Sequence, residues 1–333
     1  MSENGKPKFA MYWAASCGGC EIAVLNINEK ILDVDANFEV VFWPVAVDFK
    51  YKDVEAMPDK SILLTLFNGS IRNDENEHLA KLLRQKSQIL VAFGSCATEG
   101  CIPGLANFSS TEQIFDAAYE SVSTDNPEHI RPQYSYDMPE GTINIPVFYP
   151  QVRTLDQVVD VDYFMPGCPP ESHQIAAVID VVIKVLNGEA ELPPKGAVIG
   201  AGESTVCDEC GRKRDVKTIT KFVRIHEVED VDPELCLLEQ GILCNGPATR
   251  SGCGALCPGV GAACIGCYGP ADGALDYGAR MMTAIASVID SDDPDKIDAI
   301  LDGIPDPAGS FYRFSLPHSL LQAARPAWFN GNS

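Results

Sequence analysis

The chain has 333 residues, 13 cysteines and a formal net charge of −22, from 25 Lys+Arg against 47 Asp+Glu. So acidic a chain repels a phosphate backbone, which excludes nucleic acid as the expected partner, and nowhere do 18 apolar residues run together to form a membrane span. The length exceeds what one core usually serves, so two domains are expected, 1–190 and 191–333.

The opening residues, MSENGKPKFAMYWAASCGGC, hold no twin-arginine pair, no long apolar stretch and no small-residue cleavage site, so export is not expected and the chain reads as cytoplasmic. In that compartment so many cysteines point to metal rather than to disulfides.

In chain order, short β-branched or aromatic runs at 9–13, 38–43, 62–67, 89–93 and 161–165 predict buried strands. Helices are predicted between them. The stretch 21–33 carries Ile22, Leu25 and Leu32, the stretch 73–86 carries Leu79, Leu82 and Leu83, and Ile175, Val178, Ile179, Val182 and Leu186 follow helical spacing after Pro169 and Pro170. This α/β alternation predicts a doubly wound, mostly parallel sheet. Residues 120–150, rich in Ser, Asp, Asn, Pro and Tyr, read as a surface excursion without assigned chemistry. GEAELPPKG at 188–196 marks the domain boundary. Beyond it almost no apolar period is sustained until 275–289, a helix candidate, so the second half is expected to lack a conventional core and to be organised by bound metal.

Twelve cysteines fall into three sets of four. Cys17 and Cys20 follow the first predicted strand, Cys96 the fourth and Cys168 the fifth. Parallel strands end on one side of a doubly wound sheet, where ligands bind, so these four dispersed thiols should converge. Gly18, Gly19, Gly94, Gly100 and Gly167 around them allow close backbone approach to a bulky inorganic group. The second half holds C-x2-C-x25-C-x7-C at Cys207, Cys210, Cys236 and Cys244, then C-x3-C-x6-C-x2-C at Cys253, Cys257, Cys264 and Cys267. The former alone is compatible with a zinc ribbon; the latter, dense in Gly, is closer to ferredoxin-type ligand loops. A zinc-bound structural adaptor therefore stays open beside a redox protein. His78, His129, His173, His226 and His318 lie outside the sets and read as surface or packing residues, Cys101 as a buried thiol, and Asp48 as a turn or capping carboxylate.

CGGCE at 17–21, GSCATEG at 94–100, PGCPP at 166–170, CNGP at 244–247 and CIGCYGP at 264–270 together resemble the small subunit of nickel–iron hydrogenases, in that family's order along nearly the whole chain. The resemblance implies a flavodoxin-like N-terminal domain holding a proximal [4Fe-4S] cluster on Cys17, Cys20, Cys96 and Cys168. It implies a distal cluster on Cys207, Cys210, Cys236 and Cys244, and a medial one on Cys253, Cys257, Cys264 and Cys267. Periplasmic members typically have His-x2-Cys where this chain has Cys207 and Cys210, and a Pro where it has Cys257, so all three clusters are expected to be [4Fe-4S] and of low potential. Asn68-Gly69 stands where many members have Glu-Gly.

The pattern is similar to the cytosolic, anaerobe-type methyl-viologen-reducing enzyme that feeds a heterodisulfide reductase, with FYRFSLP at 311–317 part of the likeness. Implied partners are a nickel–iron large subunit, a small iron–sulfur linker and heterodisulfide reductase subunits. The deazaflavin-coenzyme-reducing hydrogenase is the near alternative. No catalytic side chain is expected on this chain. A quinone-reducing respiratory subunit shares the first-domain plan, but it lacks the eight downstream cysteines.

Overall fold

The computed structural model describes residues 5–214, 219–289 and 291–323. In chain order the strands are β1 (Lys8–Trp13), β2 (Glu39–Phe42), β3 (Ile62–Asn68), β4 (Ile71–Asn73), β5 (Ser87–Phe93), β6 (Ser135–Met138), β7 (Gly141–Asn144), β8 (Phe148–Arg153) and β9 (Tyr163–Met165). The helices of the first half are α1 (Gly19–Leu25), α2 (Ile31–Asn37), α3 (Tyr51–Glu55), α4 (Asp74–Lys86), α5 (Ser95–Glu99), α6 (Cys101–Gly104), α7 (Thr111–Tyr119) and α8 (Ser172–Leu186).

The five expected strands form one sheet in the order β2-β1-β3-β5-β9, every neighbouring pair parallel. This is the doubly wound plan, and its winding reverses between β1 and β3, where the ends of two adjacent strands part to leave a crevice. Side chains alternate across it: Phe9 and Met11 of β1 join Val24, Trp43, Phe93 and Ile175 on one face, while Ala10 and Tyr12 join Phe67, Leu79, Leu83 and Leu90 on the other.

Local signals explain most helix ends. Asn73 caps α4 by accepting from the Asn76 amide at 2.8 Å, with acidic residues in the first turn and Arg84 and Lys86 in the last. The single helix expected over 21–33 is instead broken. α1 stops at Asn26, a 3-10 turn covers Asn28–Lys30, and Asn28 sits at φ 55, a left-handed conformation that Asn tolerates better than most residues. Within 120–150, β6 and β7 pair as a hairpin exposed along its whole length, and β8 pairs with the short β4.

In the second half the chain forms α9 (Val206–Glu209), α10 (Leu256–Gly259), α11 (Tyr277–Ala286), α12 (Pro294–Leu301) and α13 (Pro307–Tyr312). The expected absence of a conventional core is corrected here. Val206, Ile219, Phe222, Leu237 and Ile242 pack with Tyr277, Met281 and Ile285 of α11 and with Phe311 and Tyr312 in one buried cluster. Periodicity missed it because Ile219, Phe222, Leu237 and Ile242 sit on loops tied by single bridges, such as Ile219 with Ile289 and Val223 with Ile242.

The two halves interlock. Segment 197–199, beyond the expected boundary, still pairs with β9: the Phe164 amide donates to the Ala197 carbonyl at 3.1 Å and the Ile199 amide to that of Phe164 at 2.8 Å. From the far end, Phe314 packs onto Cys96 and Cys101, and the Gln157 side-chain amide donates to the Pro317 carbonyl at 2.9 Å.

Candidate metal centres

The first set assembles at the carboxyl ends of the sheet strands. Cys17 lies in the loop after β1, Cys20 in the first turn of α1, Cys96 in the first turn of α5 and Cys168 just past β9. The loops are locked together by backbone: the Gly94 amide donates to the Met165 carbonyl and the Ser95 amide to the Gly167 carbonyl, both at 2.8 Å, while the Gly167 amide donates to Ser95 Oγ at 3.0 Å. Burial pushes the Cys20 thiol well up, and the charges of Cys96, Cys168 and Cys17 add to it. Cys17 is the exposed member; Cys20 and Cys96 are buried.

In the second set, burial pushes the Cys207 thiol up to about 12, reinforced by Cys244, Cys236 and Cys210 and opposed by the Arg214 cation. These four cysteines line one cavity with Gly246, Pro258, Arg212 and Arg214. Arg212 is anchored there by donating to the carbonyls of Pro258 at 2.8 Å and Leu235 at 2.9 Å.

The third set is coupled to itself and to both others. Cys267 is raised to about 12 by burial and then by Cys264, Cys253, Cys168 and Cys257, the last but one of these belonging to the first set. Cys264, also raised to about 12 by burial, faces Cys244 of the second set, and its amide donates to the Cys244 sulfur at 3.4 Å. Ser95, next to Cys96, donates its hydroxyl to the Cys267 carbonyl. In space the order is therefore first, third, second.

The residues fit an inorganic group larger than one ion. Among the described residues no three His, Cys, Asp or Glu side chains converge as they would on a single metal ion, although each set's thiols feel one another. A Cβ on Gly94, held at φ 82, would collide with the Cys20 sulfur, and one on Gly246 would come within 3.0 Å of the Cys207 sulfur. At the β1/β3 switch, Asn68 is fully buried with its side-chain amide toward the Cys20 thiol, and Ser16 Oγ and Thr98 Oγ1, flanking the first set, are buried and unpartnered. Cradling glycines and spare donors are what a sulfide-bearing cluster requires.

Cys207, Cys210, Cys236 and Cys244 thus line one cavity, and Cys96 and Cys168 pack with Cys267 around Phe314. Asp48 does not join them: it is exposed and paired with Lys50, whose ammonium holds its carboxyl below the usual range. Cys101, read as a buried thiol, is buried, but its sulfur lies 3.5 Å from that of Cys168. Of the histidines, His318 is not a simple surface group, since it bridges Glu99 and Asp156. Asn68 and Ser95 were not assigned to the site from sequence, although Asn68-Gly69 stood out as a departure from the family's Glu-Gly and Ser95 lies within the GSCATEG motif.

A family model described as "NADH ubiquinone oxidoreductase, 20 Kd subunit" matches residues 17–182. The iron–sulfur subunit of the F420-non-reducing hydrogenase of Archaeoglobus profundus is 44% identical over 321 residues, covering 94% of this chain and 97% of that protein. The chain belongs to this family of F420-non-reducing hydrogenase subunits. Its counterpart from Methanothermobacter thermautotrophicus is 36% identical over 325 residues, covering 95% of this chain and 96% of that protein. In fold, the hydrogenase subunit described here is similar to a chain of the [NiFeSe] hydrogenase of Desulfovibrio Vulgaris Hildenborough, with a TM-score of 0.51 at 15% identity over 80% of this chain and 94% of that one. It is the small subunit of a nickel–iron hydrogenase, an oxidoreductase whose active site lies on a partner large subunit, and the family implies iron–sulfur clusters. The matched family model ends at 182, ahead of the eight downstream cysteines. No described helix is long and apolar enough to cross a membrane.

Proposed function

We propose that this chain takes electrons from dihydrogen oxidation on the nickel–iron large subunit and passes them through three [4Fe-4S] clusters to a heterodisulfide reductase-type acceptor, by way of a small iron–sulfur linker subunit. Cys17, Cys20, Cys96 and Cys168 hold the proximal cluster, Cys253, Cys257, Cys264 and Cys267 the medial one, and Cys207, Cys210, Cys236 and Cys244 the distal one. The observation that carries this reading is that Cys267 packs with Cys168 around Phe314 on one side while the Cys264 amide donates to the Cys244 sulfur on the other.

Bound there, each cluster supplies a one-electron carrier. The chain's own residues do the rest. Thiolates ligate, Gly94 and Gly246 let sulfur approach the backbone, the Cys264 amide and spare donors such as Asn68 stabilise negative charge, and burial keeps water out. No side chain here serves as general acid or base. Four thiolates at the medial position, Cys257 included, favour a low potential, which suits a low-potential acceptor.

The relatives' name, F420-non-reducing, favours this acceptor over the deazaflavin coenzyme. A cytoplasmic location goes with the reading, since so many free thiols persist in a reducing compartment. The test is anaerobic purification of the complex: a brown protein with about twelve irons per chain is expected, together with a nickel-bearing large subunit and heterodisulfide reductase subunits in the same fraction. A colourless protein with stoichiometric zinc sinks the proposal in favour of a structural adaptor, and a deazaflavin-binding flavoprotein as co-purifying partner replaces the acceptor.

A further inference from the structure

Cys101 is the thirteenth cysteine and belongs to none of the three sets, yet it is fully buried in the wall of the first. Its Sγ lies 3.5 Å from the Sγ of Cys168, the separation of an S–H···S hydrogen bond, and it faces Cys96 as well. Both sulfurs and Cys267 of the third set gather with it around Phe314. The thiol thus stands where the first and third sets meet.

The backbone holds it there in a conformation that does not suit the residue. Cys101 has φ 49, in the left-handed region that a residue with a Cβ rarely adopts. Two contacts from the end of the second half keep it so. Its amide donates to the Phe314 carbonyl at 3.1 Å, and Gly100 and Gly104, on either side, lie so tightly against Pro317 that neither site has room for a Cβ. The 314–317 segment therefore clamps the short α6 in a fixed orientation and aims the thiol at Cys168.

We propose that Cys101 is a positioning residue that remains a thiol and donates an S–H···S hydrogen bond to the Cys168 sulfur, setting the reduction potential of the proximal centre. This rests on Cys17, Cys20, Cys96 and Cys168 being its ligands. Those four already supply the full complement of an all-cysteine four-iron cluster, which leaves the fifth sulfur to act as a donor. Reduction adds negative charge to the cluster and its thiolates, and a donor on a ligand sulfur stabilises that charge, so the bond raises the potential. It acts on a ligand that faces the third set, since Cys168 packs with Cys267 around Phe314.

The experiment uses the intact hydrogenase complex carrying Cys101→Ala or Cys101→Ser, with iron counted per chain and the proximal signal followed by redox titration under electron paramagnetic resonance. In the Ala variant the complement of about twelve irons and the four-iron spectrum should remain while the proximal midpoint falls; the Ser variant, whose hydroxyl still donates, should recover most of the shift. An unmoved midpoint in both variants overturns the proposal, as does loss of iron or a changed cluster type in the Ala variant, which makes Cys101 a ligand. A purely structural role would lower thermal stability in both variants without separating their potentials. Failure of the underlying ligand assignment shows differently, as a wild-type complex with no proximal four-iron signal.

Discussion

The backbone amide of Cys264 lies 3.4 Å from the sulfur of Cys244, so a residue of the third cysteine set donates to a sulfur of the second. Cys267, three positions further on, faces Cys168 of the first. One short segment therefore touches both neighbours, and the third set is the crossing point of the path.

That set has one exposed member, Cys257, at the start of α10. Replacing Cys257 with Pro removes one of four thiolates and should convert the medial centre to a three-iron cluster. The iron count should fall from about twelve to about eleven per chain, and the oxidised protein should show a new paramagnetic signal. An unchanged four-iron spectrum would remove Cys257 from the ligand set.

Asn68 stands at the end of β3, fully buried, and its side-chain amide faces the Cys20 thiol, lowering that thiol's pKa against the upward push of burial. Asn68→Asp exchanges a neutral donor for a negative charge beside the first set. The proximal midpoint should drop in a redox titration, with the medial and distal midpoints unmoved. Equal shifts at all three centres, or none, would mean that the amide does not face the proximal site.

His318 Nε2 lies 3.4 Å from Asp156 and Nδ1 3.5 Å from Glu99. The two carboxylates, Asp156 foremost, push its pKa up from 6.5 to about 10. Because the folded value lies above the unfolded one, the stabilisation is complete below the ordinary pKa of about 6.5 and is lost as pH rises through about 10. The side chain is 45% exposed, so solvent screening keeps the gain small. His318→Gln should lower the melting temperature most at about pH 6 and little above about pH 10; the same deficit at both would show that charge is not what the residue contributes.

Asp276 is buried and accepts three hydrogen bonds, from the Ala279 amide at 2.7 Å, the Tyr312 hydroxyl at 3.0 Å and the Leu320 amide at 2.8 Å. It caps α11 and ties two later segments to it. Asp276→Ala orphans all three donors and should cost about 3 kcal/mol in denaturant unfolding, with Asp276→Asn recovering roughly half. A loss under about 0.5 kcal/mol for the Ala variant would mean that the segments hold without it.

Much of the scaffold was legible because its signals are local. Strand runs such as 9–13 and 62–67 are short apolar stretches that mark buried strands locally, and chain direction in a doubly wound sheet sends Cys17, Cys20, Cys96 and Cys168 to one edge. The break after Asn26 was not legible, since the apolar spacing of Ile22 and Leu25 continues past it and only the backbone of Asn28 reveals the turn. The core of the second half escaped for a related reason: Phe222, Leu237 and Ile242 lie on irregular loops, where burial leaves no period.

By itself the sequence determined the parallel sheet whose strand ends carry Cys17, Cys20, Cys96 and Cys168, because strand runs and the turns between them are short-range properties. Only the tertiary structure decided the environment of each sulfur. The contacts that do so join residues far apart in the chain, Ser95 with Cys267 across 172 positions and Cys101 with Cys168 across 67. The first of these depends on how the two halves close on each other, with Phe314 and Pro317 pressed against α5 and α6, and no local pattern encodes either meeting.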